Sequence, residues 1–175
     1  MAAIRETLEQ LLAGHEPFPA VIVDRGWNLV LANTSTAVLI EGLAGELVAP
    51  PLNVLRASLH PDGLAPRILN FAEWSGHLLS RLRREVTVNG DPELAALYDE
   101  LSTYPGVSTS EHAHGLGSEP PAVVVPLRIL AGDAELAFFS IVATFGTALD
   151  ITAAELSIES FFPADTATAA ALRSR

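Results

Sequence analysis

The sequence predicts an α+β domain built on one five-stranded antiparallel sheet, with helices inserted between the second and third strands and a further helix at the N-terminus. Three observations predict it. Two short runs rich in Val, Ile and Leu flank a Gly-containing turn near the start, residues 33–104 carry helical rather than alternating periodicity, and the last third holds three runs rich in Val, Ile, Phe and Thr. A length of 175 residues suits a single domain over 1–175, and 49% apolar residues against 18% charged give ample material for its core.

Residues 1–16 form the expected N-terminal helix. Ile4, Leu8, Leu11 and Leu12 stand at i, i+4, i+7 and i+8 on one face, and Gly14 is placed to stop it. Residues 17–32 read as a hairpin, with runs over 20–23 and 27–32 flanking the three-residue loop Asp24-Arg25-Gly26. Asn33 then occupies an N-cap position for a helical segment over 34–41, in which Ala37, Val38 and Ile40 supply apolar contacts before Gly42.

The helical middle, 33–104, has its most informative piece at 67–84. At about 100° per residue, Ile68, Phe71, Ala72, Leu78, Leu79 and Leu82 cover one arc around the small Ser75 and Gly76. Arg67, Asn70, Trp74, His77, Arg81 and Arg84 recur at steps of three or four along a neighbouring stripe, an arrangement that serves either a wet helix face or a pocket lining. Asp91 as N-cap and Pro92 in the first turn start a further helix through Leu94, Leu97, Tyr98 and Leu101. Residues 105–121, rich in Gly, Pro and Ser, read as an exposed mobile loop.

Residues 122–162 read as a three-strand meander over 122–130, 134–145 and 151–162. Both parities of the middle strand are apolar, Leu136/Phe138/Val142 and Phe139/Ile141/Phe145, so it is expected to be central and covered on both faces. The last strand alternates Leu156/Ile158 with Glu155/Ser157/Glu159, which predicts one wet face. Residues 163–175 form a C-terminal helix or tail that Asp165 caps. Two strands, a helical middle and three strands make the element order of a PAS-like domain.

Composition excludes several functions. There are 21 acidic residues against 10 basic, all of them Arg, for a net charge of −11, and such a surface repels a duplex phosphate backbone. With no Cys, thiol nucleophiles, disulfides and thiolate metal sites are excluded. No stretch approaches the roughly 20 apolar residues of a membrane span, and Arg5, Glu6 and Glu9 interrupt any signal sequence. A soluble cytoplasmic protein without membrane contact is expected.

Few residues offer catalytic chemistry. Glu111-His112-Ala113-His114 could place two imidazoles on one side of an extended segment, with Glu111 or Glu119 adding an oxygen, but a third anchored ligand is missing and no metal is expected. His60 with Asp62 could form a base and its orienting carboxylate, yet no nucleophile motif accompanies them, and Pro61-Asp62-Gly63 is turn chemistry. Arg81, Arg83 and Arg84 are read as complementing a helix C-terminus rather than as a phosphate site. Neither a phosphate-cradling glycine loop nor H-E-x-x-H occurs, so no cofactor and no enzymatic activity are expected.

The segment Phe145-Gly146-Thr147-Ala148-Leu149-Asp150-Ile151-Thr152 through Glu155-Leu156-Ser157-Ile158-Glu159-Ser160-Phe161-Phe162-Pro163-Ala164-Asp165 resembles the closing hairpin of the MmyB-like transcription-regulator ligand-binding domain. Val23-Asp24-Arg25, Trp27 and Ala32-Asn33 resemble its opening hairpin. Asn53-Val54-Leu55-Arg56, Leu59-His60-Pro61, Ala65-Pro66-Arg67-Ile68, Glu73-Trp74 and Leu82-Arg83-Arg84 resemble its middle helices. The resemblance implies a PAS-like fold that senses a small, fatty-acyl-like molecule, normally fused behind an XRE-type helix-turn-helix domain that binds DNA. The present chain is then expected to be the sensor alone, without that domain and without direct nucleic-acid contact.

On this reading an apolar molecule such as a fatty acid lies between the sheet and the helix over 67–84, touching Phe71, Trp74, Leu78, Phe138 and Phe162. A carboxylate head would meet Arg56, His60, Arg67 or His77. Binding would alter a homodimer contact and so the attached DNA-binding domains. The alternatives are a ligand-free PAS-like dimerisation module and, further off, a metal-dependent enzyme using His60, His112 or His114.

Overall fold

The computed structural model describes residues 2–109, 124–144 and 155–174. The five expected strands form one antiparallel sheet. They are β1 (Ala20–Val23), β2 (Leu29–Ala32), β3 (Leu127–Ala131), β4 (Ala134–Thr144) and β5 (Ser157–Pro163), in the spatial order β2-β1-β5-β4-β3. The last strand lies at the centre, pairing Val21 with Glu159 on one side and Ser140 with Phe161 on the other. With helices inserted between β2 and β3, this is the α+β arrangement of a PAS-like fold.

Helix α1 (Ala2–Gly14) covers one face of the sheet, burying Leu8 and Leu12 against Ala20, Ile22 and Leu156. Leu11 is 45% exposed, outside the stripe expected for it. The opposite face carries the main core. Val21, Val23, Leu127, Ile129, Leu136, Phe138 and Phe161 meet side chains from α2 (Ala37–Ile40), α4 (Val54–Leu59), α5 (Phe71–Asn89) and α6 (Pro92–Ser102). Full burial of one such Leu or Phe contributes about 1.5–3 kcal/mol. A short α3 (Gly45–Val48) and α7 (Thr166–Arg173) complete the helices of the described residues, and none of them is long and apolar enough to cross a membrane.

The hairpin turn is wider than expected. Asp24 Oδ1 accepts from the N–H of Gly26 and of Asn28 at 2.8 and 2.9 Å, while Trp27 takes a left-handed φ of 64° and so leaves the strand expected for it. The Asn33 side chain does not cap the segment after it. Its oxygen accepts from Ala20 N and its nitrogen donates to Phe18 O, so it ties the edge of the sheet together. Glu16, from before the hairpin, accepts from Thr34 N and Ser35 N in its place and also bonds the Ser35 hydroxyl.

The helix expected from residue 67 begins at Phe71. Arg67 ends a single 3-10 turn over Ala65–Arg67, Ile68 pairs with Ile129 at the sheet edge, and Asn70 Nδ2 donates to Pro126 O at 2.7 Å, which keeps Ile68 to Asn70 out of the helix. The same helix runs on to Asn89, where Gly90 (φ 64°) ends it. Arg81, Arg83 and Arg84 therefore lie inside it and complement no C-terminus. Helix α6 follows as its sequence predicts, with the Asp91 carboxylate accepting from Glu93 N and Leu94 N.

Two strands depart from expectation. β4 is an interior strand, between β5 and the edge strand β3, but burial stops at Phe138, and Ile141 is 53% exposed. In β5 the apparently wet parity faces the core: pairing with Val21 turns Glu159 inward beside Phe161, and Ile158 goes to the α1 side. The Asp165 cap is as expected, accepting from Thr168 N at 2.7 Å. Glu111, His112, His114, Glu119 and most of the 105–121 loop lie outside the described residues.

Candidate cavity between the sheet and helices α2, α4 and α5

Helix α4 has only six residues and its start is pinned to the hairpin. Asn53, buried, caps it by accepting from Arg56 N and donates to Gly26 O at 2.7 Å, while Leu29 N donates to Leu52 O and Val54 N to Trp27 O. This fixes Leu55, Ala57 and Ser58 over the sheet. Helix α5 crosses beside it, presenting Trp74 and Leu78 at i and i+4 on the same side.

A cavity of about 70 Å³ remains between these helices and the sheet. A water molecule needs about 10–15 Å³ of such space, so the cavity exceeds one solvent site several-fold. Its floor is Val21, Leu29, Leu127, Phe161 and Glu159; its roof is Leu39, Ile40, Leu55, Ala57, Ser58, Trp74 and Leu78. The small side chains of Ala57 and Ser58 leave the space. A larger residue at either place would narrow it.

Polar groups on the wall are few. Thr36 Oγ1 is engaged by Ala20 O and Asn33 Oδ1, and Ser58 Oγ accepts from Trp74 Nε1 at 3.2 Å. Glu159 is 4% exposed. Its Oε1 accepts from Ser140 Oγ at 2.8 Å, and its Oε2 lies 3.7 Å from Arg81 Nη2. Arg81 sits 4.3 Å over the Trp27 ring, whose Nε1 donates to Glu85 Oε2 at 2.9 Å. Among the described residues, Arg81 Nε and Nη2 are buried without a hydrogen-bond partner.

Of the residues expected to bind a ligand, Trp74 and Leu78 line the cavity. Phe138 is fully buried beside Phe161, and half-buried Phe71 packs at the margin of the core, both behind the wall. Phe162 is on the other face of the sheet, stacked on Phe139 at 5.4 Å and edge-on to His15 at 4.9 Å. The polar candidates are engaged elsewhere. Arg56 forks onto Glu100, and Arg67 donates to the carbonyls of Val38, Leu39, Glu41 and Leu130. His60 ends α4, its Nδ1 accepting from Asp62 N and its ring edge-on to Tyr104. His77 lies 5.7 Å from Trp74, and burial, followed by the charges of Arg81 and Arg84, lowers its pKa below the usual histidine range.

Glu159, Ser140 and Trp27 are absent from the sequence-based set. The signal for Glu159 was its shared parity with Phe161, which outweighs its charge once β5 is placed at the centre of the sheet. Among the described residues no group of three or more His, Asp or Glu side chains is arranged to hold a metal ion. A family model described as the MmyB-like transcription regulator ligand binding domain matches residues 4–174. No curated protein matches the chain.

Proposed function

The chain belongs to the MmyB-like transcription regulator ligand-binding domain family, and on that footing we propose that it senses a chain-like apolar molecule of the fatty-acyl kind held between the sheet and helices α2, α4 and α5. The observation that carries this reading is the cavity itself. It is walled almost wholly by aliphatic and aromatic side chains, with Trp74 and Leu78 on its roof. Occupancy would stiffen the contacts of α4 and α5 with the sheet. That change would pass to a homodimer contact and to a DNA-binding helix-turn-helix domain elsewhere in the regulator, in a cytoplasmic setting and without catalysis.

The test is native mass spectrometry of the purified protein, followed by denaturation and solvent extraction, with thermal shift against a panel of acyl chains. A recurrent bound mass in the acyl-chain range, or a rise in Tm that grows with chain length, is the expected result. A clean apo mass with no Tm shift across the panel would overturn the sensing role in favour of a ligand-free dimerisation module.

A further inference from the structure

The cavity has one charged wall residue, and its surroundings leave two bonds unmade. Glu159 engages Ser140 through Oε1, whereas Oε2 stands 3.7 Å from Arg81 Nη2, too long for a hydrogen bond. Arg81 keeps Nε and Nη2 buried without an acceptor among the described residues. The other nearby acid, Glu85, is drawn to the indole N–H of Trp27, the ring that holds the guanidinium from one side at 4.3 Å. A buried cation lacking acceptors is costly, so a ligand group that supplies one gains that energy on binding.

We infer that the Glu159–Arg81 pair is the head-group site of the cavity and selects an uncharged chain-like ligand whose polar end both donates and accepts, such as a primary alcohol or primary amide, over the matching carboxylate. The inference rests on the proposed ligand role of the cavity. A hydroxyl beside the pair donates to Glu159 Oε2 and accepts from Arg81 Nη2, bridging the 3.7 Å gap between them with one group. A carboxylate can accept from Arg81 but has no proton for Glu159, and its charge meets a like charge in a wall that offers no solvent. Glu159 lines the cavity and Arg81 stands behind it, 3.7 Å from Oε2; Leu78 and Arg81 are i and i+3 on α5, so a chain lying along Leu78 runs toward the pair.

Decan-1-ol, decanamide and decanoate, equal in chain length, discriminate these cases when titrated calorimetrically at a pH where the acid is ionised. The alcohol and the amide are expected to bind at least about tenfold more tightly than decanoate. Glu159→Gln keeps the size of the side chain and an acceptor for Ser140, and is expected to bring decanoate within about threefold of the alcohol. Decanoate binding as tightly as the alcohol to the unaltered protein overturns the head-group assignment while leaving the cavity as a ligand site. An unchanged preference in a folded Glu159→Gln protein overturns the part given to Glu159. Failure of all three probes to bind overturns the ligand role of the cavity and this inference with it.

Discussion

Arg56 forks onto Glu100, its Nε and Nη2 donating to the two carboxylate oxygens at 2.8 and 2.7 Å, and this pair joins α4 to α6. Tyr104 adds its hydroxyl to the same carboxylate at 2.6 Å. The Arg56 bond holds the Glu100 pKa below its ordinary 4.5, while burial and the bond to Glu100 push the Tyr104 hydroxyl up to about 12.

A depressed carboxylate pKa adds stability that is present above the unfolded value and lost as pH falls through the folded one. Wild-type protein should therefore lose stability below pH 4.5 more steeply than Glu100→Gln. Both side chains are more than a third exposed, so the effect is at most about 1 kcal/mol. Tyr104 works in the opposite direction. Its raised pKa adds stability that is intact below pH 10.0 and lost on the way to about 12, and Tyr104→Phe should flatten that limb. Urea midpoints across pH measure both.

Burial, followed by the charges of Arg81 and Arg84, lowers the pKa of His77 in the fold. The unfolded chain binds its proton more readily, so stability rises with pH through this window and is lost as pH falls below 6.5. His77→Gln should remove that slope. A His77→Gln protein with the wild-type slope between neutral pH and the carboxylate range would assign the dependence to another group.

Trp74 is 3% exposed and is part of the core as well as of the cavity. Trp74→Ala should cost roughly 3–5 kcal/mol, which mixes loss of fold with loss of any ligand. Ala57→Val is the cleaner probe. It fills the roof of the cavity, should leave apo stability within about 1.5 kcal/mol, and should reduce uptake of acyl probes by tenfold or more. Unaltered uptake in that variant would move the ligand out of this cavity.

Arg67 closes the C-terminal carbonyls of α2, reaching Val38, Leu39 and Glu41 and crossing to Leu130 on β3. Lysine offers a single compact tip that cannot serve those carbonyls together. Arg67→Lys should cost about 1–3 kcal/mol by denaturant unfolding. A loss under a few tenths would show that water replaces the guanidinium without penalty.

The strands, α6 and the caps at Asp91 and Asp165 were legible because each rests on local signals: alternation, a proline in the first turn, a carboxylate facing free N–H groups. Trp27, Asn33 and Glu159 were not, and for a common reason. The fate of each is decided by a segment distant in sequence: Glu85 and Arg81 for Trp27, Phe18 and Ala20 for Asn33, Val21 and Ser140 for Glu159. Periodicity put Leu78 on the inward arc of its helix and Trp74 on a neighbouring stripe that served either a wet face or a pocket lining. It could not show that Arg56 and Arg67 would find partners within the fold, since Glu100 and the α2 carbonyls lie 44 and 26–29 residues away.

The central position of β5 also bears on the order in which the chain can fold. During synthesis β1–β2 and β3–β4 emerge as two separate hairpins, and neither has its inner neighbour until residues 157–163 leave the ribosome. Until then Ala20–Val23 and Ala134–Thr144 each present an open row of backbone donors and acceptors, the kind of edge that invites pairing with another chain. Burial of Glu159 waits on the same event, when the strand slots between the two hairpins and joins them into one sheet.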